Sequence, residues 1–352
     1  MSVLGRLFRG GLFGRRHEML VVEVTQRCNH ACAHCYNVWK ADGQYPTGEL
    51  GTEDTLTMLG KLLDESRATS VALSGGEPLL REDLGAIVDF LAARRVKITL
   101  LTNGSLLDDA AIARFGEKVG LYEIPLLSAD RTIHDGMVGS PGAFDRATLA
   151  IAAAKAAGRP VVGAFVATSA NVATWAETAK VLIALGADGI MFNRFNPGGE
   201  GLHHLDALMA PPSDIAAALD EADALIGEYG VSIGCSIPMP PCLFELGRWK
   251  RLSFGFCPAG TAGAYYTLDP LGHLRPCNHS PTILGNIRKE GFWSMVDSPT
   301  MAAFTAARPA FCAGCAAEAS CQGSCKAAAE AACGSAGALD PYVAAFAPRR
   351  PR

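Results

Sequence analysis

The sequence contains no apolar run long enough to cross a membrane and no recognisable export signal. Its first 16 residues, MSVLGRLFRGGLFGRR, place four arginines among short apolar stretches, without a long apolar segment or a small-residue cleavage site. A membrane-spanning helix needs about 18 or more consecutive apolar residues, so that class of protein is excluded. We therefore expect a cytoplasmic protein in which residues 1–17 form a basic, flexible tail. The alternative role for this tail is a docking arm for a partner peptide or an acidic surface.

An excess of positive charge is absent as well. The 352 residues include 31 Lys and Arg against 35 Asp and Glu, which gives a net charge of −4 and a pI of about 6.1. This balance excludes nucleic-acid binding through overall charge. Because 49% of the residues are hydrophobic, the chain can form a full core, and its length predicts roughly two domains.

Disulfide bonds are not expected, because thiols stay reduced in the cytosol. The sequence nevertheless contains 12 cysteines, and nine of them follow residue 230. Closely spaced cysteines in a cytosolic protein indicate metal binding rather than disulfide pairing. The composition therefore favours metal-bound thiolates.

Short apolar or β-branched segments alternate with segments of helical periodicity over residues 18–234. The helical pattern is clear in EDTLTMLGKLLDESR and AFDRATLAIAAAKAAG, whose apolar residues recur at i, i+3 and i+4. Continuous apolar strands are typical of parallel sheets that are covered on both faces. The pattern predicts an α/β fold, a partial TIM-like (β/α)6 barrel, with strands over 20–25, 70–76, 97–104, 121–128, 160–168 and 189–195.

Polar residues and glycines follow each predicted strand. In parallel α/β folds ligands bind at the C-terminal ends of the strands, so these residues should form one rim. A loop with three cysteines follows the first strand, and the segment SGGEP ends the second. Asn103, at the end of the third strand, is either a helix N-cap or a site residue. The later strand ends contribute Ser128, Asp130, Thr168 to Asn171 and Asn196 to Gly199.

The pattern changes after about residue 230, where proline and glycine become frequent and the alternation of strands and helices stops. Segments such as CSIPMPPC and CPAGTAGAYYTLDPLGHLRPC contain little that could form a regular core. We expect residues 235–352 to form a second domain that its cysteines hold together.

Cys28, Cys32 and Cys35 lie within eight positions of the segment VTQRCNHACAHCYNVWK. A structural zinc site needs four protein ligands, and His30 or His34 could supply the fourth. A four-iron cluster is usually held by four thiolates, so three thiolates would leave one iron open to a substrate or a cofactor. The spacing is not that of a common zinc-binding motif, which favours the cluster.

The Cys28-x3-Cys32-x2-Cys35 pattern followed by Tyr36 resembles the signature of the radical S-adenosylmethionine (radical SAM) enzymes. The SGGEP segment at residues 74–78 resembles the GGEP segment of the same family. The resemblance implies that the methionine part of the cofactor chelates the open iron. One electron, supplied by an external flavodoxin- or ferredoxin-type donor, would then cleave the cofactor to a 5′-deoxyadenosyl radical, which abstracts hydrogen from the substrate.

The same resemblance implies contacts with the cofactor. The backbone of Tyr36 would meet the adenine, and Gly75 and Gly76 would let the main chain approach the methionine. Glu77 or nearby carbonyls would accept from the cofactor's ammonium, and Ser128 would lie near the ribose or the carboxylate. The residues expected to bind cofactor are Tyr36, Ser74, Gly75, Gly76, Glu77, Pro78, Asn103, Ser128, Asp130 and Asn196.

The C-terminal cysteines resemble the SPASM extension of radical SAM enzymes, which implies two auxiliary [4Fe-4S] clusters. The resemblance assigns the first of these clusters to Cys242, Cys257, Cys277 and Cys325. It assigns the second to Cys312, Cys315, Cys321 and Cys333. Together with the cluster of the N-terminal loop, three [4Fe-4S] clusters are expected.

Cys235 is the alternative to Cys242 as a ligand of the first auxiliary cluster. We favour Cys242 because the proline-rich segment PMPPC could present it rigidly. Cys235 would then be a buried thiol or a thiol that faces the substrate. If neither cysteine reaches the cluster, one iron stays open and could bind substrate.

The resemblance to the SPASM subfamily favours oxidative modification of a peptide or protein, with an auxiliary cluster accepting an electron from the substrate radical. The first alternative is the same chemistry on a small molecule, such as a tetrapyrrole or an antibiotic precursor. A second alternative is a non-catalytic iron–sulfur electron carrier. Because only about 18 residues precede the first strand, any leader peptide is expected to need a separate recognition protein.

The catalytic base is open at the level of sequence. In sulfatase-maturing relatives an aspartate follows the cysteine that Cys277 matches, whereas here Asn278 follows it, and an amide cannot take a proton. His279 could act as a base or could be a structural residue. Residues 196–204, NPGGEGLHH, are expected to line the substrate cavity. The candidate catalytic residues are therefore His279, Asn278 and Cys235.

Overall fold

The structure is a computed structural model that describes residues 15–43 and 45–347. The predicted basic tail therefore lies largely outside the described residues. Of its last three positions, Arg15 forms an ion pair with Asp297 and lies over the ring of Trp293 at 4.0 Å. His17 is buried, and its Nε2 lies 2.7 Å from the carbonyl oxygen of Ala264. This end of the tail packs against the C-terminal third of the chain.

The strands join in one 11-stranded sheet of order β11-β10-β9-β1-β2-β3-β4-β5-β6-β7-β8. Strands β1 to β8 are parallel to their neighbours, as is β9 to β1, whereas β9, β10 and β11 pair antiparallel. The strands are Met19–Thr25 (β1), Ser70–Gly75 (β2), Lys97–Leu101 (β3), Val119–Pro125 (β4), Val161–Ala167 (β5), Gly189–Arg194 (β6), Ser232–Cys235 (β7), Ser253–Phe254 (β8), Thr267–Leu268 (β9), His273–Arg275 (β10) and Gly285–Asn286 (β11).

Helices follow most of the long strands, as the periodicity predicts. The α-helices are Thr52–Ser66 (α1), Leu84–Ala93 (α2), Asp109–Phe115 (α3), Arg131–Val138 (α4), Ala143–Ala156 (α5), Trp175–Ala184 (α6), Leu205–Leu208 (α7), Pro212–Tyr229 (α8), Phe292–Val296 (α9), Pro299–Ala306 (α10), Glu318–Cys321 (α11), Lys326–Cys333 (α12) and Pro341–Phe346 (α13). Short 3₁₀ helices lie at Val38–Lys40, Pro78–Leu80, Val172–Thr174, Gly199–His204, Leu246–Arg248 and Ala310–Cys312. Within the described residues, no helix is long and apolar enough to cross a membrane.

Local sequence explains several helix boundaries. Asp108 caps α3 by accepting a hydrogen bond from the backbone N–H of Ala111 at 2.8 Å. The α8 helix begins at Pro212, which supplies a fixed φ where no backbone donor is needed, and it ends at Gly230 with φ of +68°.

The two faces of the sheet have different neighbours because side chains alternate along each strand. In β1, Leu20, Val22 and Val24 belong to the main hydrophobic core, whereas Met19 and Val21 line a central cavity. The strand registers place further inward-facing residues side by side around the barrel. The sheet thus separates a hydrophobic core from a cavity inside the barrel.

The parallel sheet continues beyond the predicted six strands. Strands β7 and β8 extend it past residue 230, and β9 adds to the opposite edge beside β1. The predicted domain boundary at residue 235 therefore falls at the end of a strand within one sheet. Sequence periodicity missed these strands because they have only two to four residues each.

Candidate active site

The three-cysteine loop lies at the C-terminal end of β1, as predicted. The C-terminal turn of α4 fixes its backbone: Ala31 donates to Val138 at 2.9 Å and Ala33 donates to Met137 at 3.3 Å. The ring of His30 lies 2.8 Å from Ser105 Oγ and is buried, so this histidine supports the loop. All three cysteine residues are partly exposed.

Gly75 and Gly76 allow the end of β2 to lie directly against the chain that leaves β1. Gly75 has a φ of +135°, and a Cβ at either glycine would overlap a backbone oxygen, of Thr25 for Gly75 and of Arg27 for Gly76. Gly76 donates to Thr25 at 2.9 Å, and Glu77 donates to Arg27 at 2.8 Å. The glycines therefore position the three-cysteine loop by close backbone packing.

Replacing Gly76 by alanine is expected to displace the backbone at Arg27 and, with it, the nearby cysteine thiols. We expect this variant to lose most of the iron of the N-terminal loop on anaerobic reconstitution, measured as iron per chain. Gly136→Ala is the matched control, because a Cβ at this exposed helical position meets nothing within 4 Å. Full iron loading of Gly76→Ala would contradict the packing role.

Glu77 is fully buried, and both oxygens of its carboxylate already have donors. Oε1 accepts from the N–H of Leu79 at 3.0 Å and from Thr102 Oγ1 at 2.8 Å, while Oε2 accepts from the N–H of Asn103 at 2.7 Å. Burial raises the pKa of this carboxyl above its ordinary value. The carboxylate joins the ends of β2 and β3, whereas the sequence predicts a contact with the cofactor's ammonium.

Two other predicted cofactor residues also have structural partners. Ser128 is buried, with its Oγ 3.0 Å from Thr174 Oγ1. Asp130 is the N-cap of α4, because its carboxylate accepts from the backbone of Thr132 at 2.7 Å. Both lie at the predicted strand end, where these contacts order the rim.

Asn103 is not a helix N-cap, because the helix that follows it is capped by Asp108. Its amide Nδ2 donates to Asn29 Oδ1 at 2.7 Å, which ties β3 to the three-cysteine loop. Its Oδ1 accepts from the N–H of Ser105 at 2.9 Å. Of the two predicted roles, the position beside the cysteine loop is the one that the structure supports.

Tyr36 turns its side chain toward the C-terminal part of the chain. Its ring stacks on His279 with centroids 4.0 Å apart, and its hydroxyl accepts from Asn278 Nδ2 at 3.1 Å. Asn196 contacts the same histidine: its Nδ2 lies 3.1 Å from His279 Nδ1 and 3.4 Å from Cys325 Sγ. Asn196 thus lies beside the first auxiliary cysteines, although the sequence predicts it at the cofactor.

Burial and the positive charges of Arg275 and Arg194 lower the pKa of His279 to about 3. The ring is therefore neutral near pH 7 and is a weak proton acceptor. Asn278 and His279 both line the central cavity, as expected for residues that face substrate. The sequence leaves His279 open as a base or a structural residue, and its stacking and pKa favour the structural role.

The central cavity has a volume of about 270 Å³. Strands β1 to β4 and β6 form one wall, and residues of the C-terminal third close the other. Cys257, Cys277 and Cys325 all line this second wall, so the first auxiliary set faces the inside of the barrel. Glu123 of β4 also lines the cavity, although its segment, LYEIPLLS, carries no motif that marks a site residue in the sequence.

The glycine-rich segment at residues 196–204 packs elsewhere than predicted. Gly201 donates to Cys35 at 3.1 Å, and a Cβ at Gly199 would approach Cys35 O within 2.7 Å. Beyond Gly201 the chain runs toward the surface, where His203 is exposed and lies 3.7 Å from Asp42. The segment supports the cysteine loop, and none of these residues is part of the cavity wall.

The thiols that influence the pKa of Cys242 belong to the second auxiliary set, whereas the sequence predicts Cys242 in the first. Burial raises the pKa of Cys242 to about 11, and the neighbouring thiols that raise it further are Cys321, Cys312 and Cys315. The loop that carries Cys242 is tied down at Pro238, whose carbonyl accepts from Arg194 Nε at 2.9 Å. Phe244 of the same loop stacks on Tyr342 at 6.2 Å.

Neither Cys235 nor Cys333 lines the central cavity. Cys235 ends β7 inside the main hydrophobic core, where burial raises its pKa to about 12, so the described wall of the cavity does not include it. Cys333 is exposed at the end of α12, roughly 12 Å along the helix from Cys325 of the first set, and its predicted place in the second set stays a prediction. The position of Cys235 corresponds to the predicted buried thiol.

All 12 cysteines are free thiols, and the described residues contain no group of three His, Cys, Asp or Glu side chains placed to hold a single metal ion. Each set of cysteines offers thiols alone, which are the ligands that four-iron clusters take, so these residues fit such clusters. Burial raises the pKa of Cys32 and of Cys277 to about 12, so cluster binding must supply the free energy of deprotonation.

Comparisons with known proteins agree with the site. The family profile of the Radical SAM superfamily matches residues 22–182, and that of the SPASM iron–sulfur cluster-binding domain matches residues 257–321. The chain is 29% identical to the PqqA peptide cyclase of Methylocella silvestris, over 79% of this chain and 71% of that protein. It is 28% identical to the mycofactocin maturase MftC of Mycobacterium tuberculosis, over 77% of this chain and 68% of that protein.

Solved structures share the fold at low sequence identity. Streptococcus suis SuiB bound to S-adenosylmethionine superposes with a TM-score of 0.73 and 15% identity, over 96% of this chain and 79% of SuiB. The AdoMet-bound anSMEcpe gives 0.70 and 16% identity, over 93% of this chain and 91% of that one. Because both family profiles match, the chain belongs to the radical SAM superfamily and carries a C-terminal SPASM iron–sulfur domain.

Proposed function

We propose that this enzyme oxidatively modifies a peptide substrate inside the partial barrel. The observation that carries the proposal is the shared cavity: the inward face of β1 to β4 and the cysteines of the first auxiliary set line the same 270 Å³ space. Two of the relatives are a peptide cyclase and a maturase, and SuiB has been crystallised with its precursor peptide SuiA. A substrate in this cavity would lie next to its electron acceptor.

Different residues of the chain would have different roles in the proposed reaction. When bound, the cofactor and clusters supply a 5′-deoxyadenosyl radical and accept the electron that the substrate loses. Cys28, Cys32 and Cys35 would hold the N-terminal cluster, and the rim around Gly75 and Asn103 would fix the loop that carries it. The apolar cavity walls would keep water away from the substrate radical.

The first auxiliary set would comprise Cys257, Cys277 and Cys325, which leaves one iron open toward the cavity. The second would comprise Cys242, Cys312, Cys315 and Cys321. This partition follows the thiol neighbours of Cys242 and of Cys277. Lys326 is buried, and thiols of both sets, Cys257, Cys321 and Cys312, influence its pKa.

A small-molecule substrate is the second candidate, since the chain is also 24% identical to the AdoMet-dependent heme synthase of Methanosarcina barkeri. The cavity volume argues against a tetrapyrrole. Pockets for drug-sized ligands measure about 300 to 1,000 Å³, and a macrocycle with its side chains needs more than 270 Å³. A single amino-acid side chain fits the volume better.

Anaerobic reconstitution tests the proposed chemistry. We expect about 12 irons per chain, four for each of three clusters, and a change in the electron paramagnetic resonance (EPR) spectrum on adding SAM. With dithionite, or a flavodoxin- or ferredoxin-type donor, the enzyme should form 5′-deoxyadenosine. Peptides encoded next to its gene, with and without a separate leader-binding protein, should then lose hydrogen in mass spectra. About four irons and no 5′-deoxyadenosine would contradict the proposal.

Replacing Cys242 by alanine is expected to lower the iron content by up to about four per chain and to weaken the EPR signal of one auxiliary cluster. The reason is that the second set would keep only three thiolates. Cys235→Ala is the control, because it removes a thiol that lies in the hydrophobic core. An iron content unchanged in Cys242→Ala but lowered in Cys333→Ala would contradict the partition.

A further inference from the structure

Among the residues that the structure describes, the wall of the central cavity contains one side chain of the Asp, Glu, Lys and Arg class, that of Glu123. Most of the other lining residues are apolar, with Met19, Val21, Leu101 and Met191 on the barrel side. The remaining polar side chains of the wall are Thr99, Ser236, Tyr265, Asn278, His279 and the three cysteines. No lysine or arginine of the described part of the chain lines this space.

Glu123 points into the cavity from the middle of the sheet. In the strand register it pairs with Leu101 on one side and with Val162 on the other. Within residues 15–43 and 45–347, no hydrogen bond or ion pair reaches its carboxylate. Its charge influences the pKa of Tyr36, the residue that follows the three-cysteine loop directly.

A second glutamate on the inward face of the sheet, Glu23, has an ionic partner and provides a comparison. Glu23 of β1 is buried in an ion pair with Arg275, and both side chains are almost inaccessible to solvent. Unpaired carboxylates in an apolar environment are unfavourable. Burial accordingly raises the pKa of Glu123 to about 6, with no neighbouring charge to oppose the shift. Unlike Glu23, Glu123 has no ionic partner among the described side chains, so a cationic ligand could supply one.

We infer that Glu123 is a specificity-determining residue that binds the cationic end of a basic side chain, lysine or arginine, in the substrate peptide. The inference rests on the proposed peptide substrate and adds the type of residue that enters the cavity. The methylenes of such a side chain match the apolar walls, and its ammonium or guanidinium group supplies the charge that Glu123 lacks. A volume of about 270 Å³ fits one residue of this length.

Two small probes test this without knowledge of the natural substrate. N-acetyl-lysine N-methylamide carries the cation, and N-acetyl-norleucine N-methylamide has the same backbone and an apolar stem without the amine. Their dissociation constants would be measured by anaerobic calorimetry on the reconstituted holoenzyme with SAM. We expect the lysine probe to bind about tenfold or more tightly, because a hydrogen bond to a charged group is lost in the other.

Glu123→Gln should reduce the preference for the lysine probe to less than about twofold, whereas Glu123→Asp, which keeps the charge, should retain part of it. Glu82→Gln is the control, since it removes the same charge from an exposed position. Iron content and the EPR response to SAM should be unchanged in Glu123→Gln, which confirms that the variant is folded.

Equal or undetectable binding of the two probes to the wild type would overturn the inference, and so would a preference that survives in Glu123→Gln. This result can be told apart from a failure of the proposed function. If the wild type forms no 5′-deoxyadenosine but selects the lysine probe through Glu123, the radical chemistry is wrong and the cavity assignment stands. If it forms 5′-deoxyadenosine without any preference, only the inference falls.

Discussion

Asp340→Ala is expected to destabilise the fold strongly and to remove iron from the first auxiliary set, because one buried carboxylate joins three parts of the chain. Asp340 accepts from Arg194 Nη2 at 2.6 Å, from the N–H of Cys325 at 3.0 Å and from the N–H of Tyr342 at 2.9 Å. Asp340 and Arg194 are both inaccessible to solvent. Removing one partner of such a pair leaves an uncompensated buried charge, which costs about 3 to 5 kcal/mol.

The effect on iron follows from the backbone of Cys325. Without the carboxylate, its N–H and the start of α12 lose their anchor, so the thiol that faces the cavity is no longer fixed. Denaturant unfolding of the apoprotein would measure the stability, and iron per chain would measure the loading. We expect a loss of up to about four irons.

Two further variants distinguish the effect of breaking the buried pair from the effect of removing a negative charge in general. Asp297→Ala breaks an exposed ion pair with Arg15, whose side chains are about half accessible, and it should cost no more than about 1 kcal/mol. Asp340→Asn keeps hydrogen-bond acceptance but not the charge, so an intermediate loss is expected. If Asp340→Ala were no more destabilising than Asp297→Ala, the proposed role of the buried pair would be wrong.

The order of strands and the location of the rim could be predicted from sequence because local patterns determine them. The segment KITLLTNG contains β3, Lys97–Leu101, and the three-cysteine loop follows β1 directly. In a parallel sheet the strand ends meet on one side, so a residue's place along the chain predicts its place on the rim. Strands β8 and β9 could not be predicted, because a strand of two residues shows no hydrophobic periodicity.

The roles of individual rim residues could not be predicted with the same success, since they depend on neighbours that are distant in sequence. Glu77 matches a cofactor-binding motif, yet its carboxylate is occupied by Thr102 and Asn103, 25 and 26 positions away. The set to which Cys242 belongs depends on how a loop packs against residues some 70 to 80 positions later. The spacing of cysteines along the sequence does not show which of them lie close together in the folded protein.

Glu123 is the opposite case, a residue without any sequence signal that the structure places in the cavity. Nothing in its segment marks a functional residue, because a glutamate between apolar neighbours is also what an exposed strand position would show. Only the folded structure reveals that it faces a cavity and has no partner among the described side chains. Functional residues of this kind can be recognised as charged or polar groups that have no partner in the protein. Identifying them requires the three-dimensional structure around the residue.

Cys32→Ala is expected to abolish the formation of 5′-deoxyadenosine. The N-terminal loop offers three thiols, so losing one leaves two, too few for a four-iron cluster with one open position. The side chain of Cys32 packs against a small hydrophobic group that includes Leu127, Met137 and Val138, and alanine preserves most of that contact. The loop should therefore keep its conformation while the cluster is lost.

The measurement combines product analysis with iron content. Iron should fall from about twelve to about eight per chain, and the EPR signals of the auxiliary clusters should remain, because their ligands lie beyond residue 240. The change that SAM causes in the spectrum should vanish together with 5′-deoxyadenosine. Cys235→Ala, again the control, should keep both, since its thiol lies within the core. Formation of 5′-deoxyadenosine by Cys32→Ala at more than a trace level would mean that another cysteine set cleaves the cofactor.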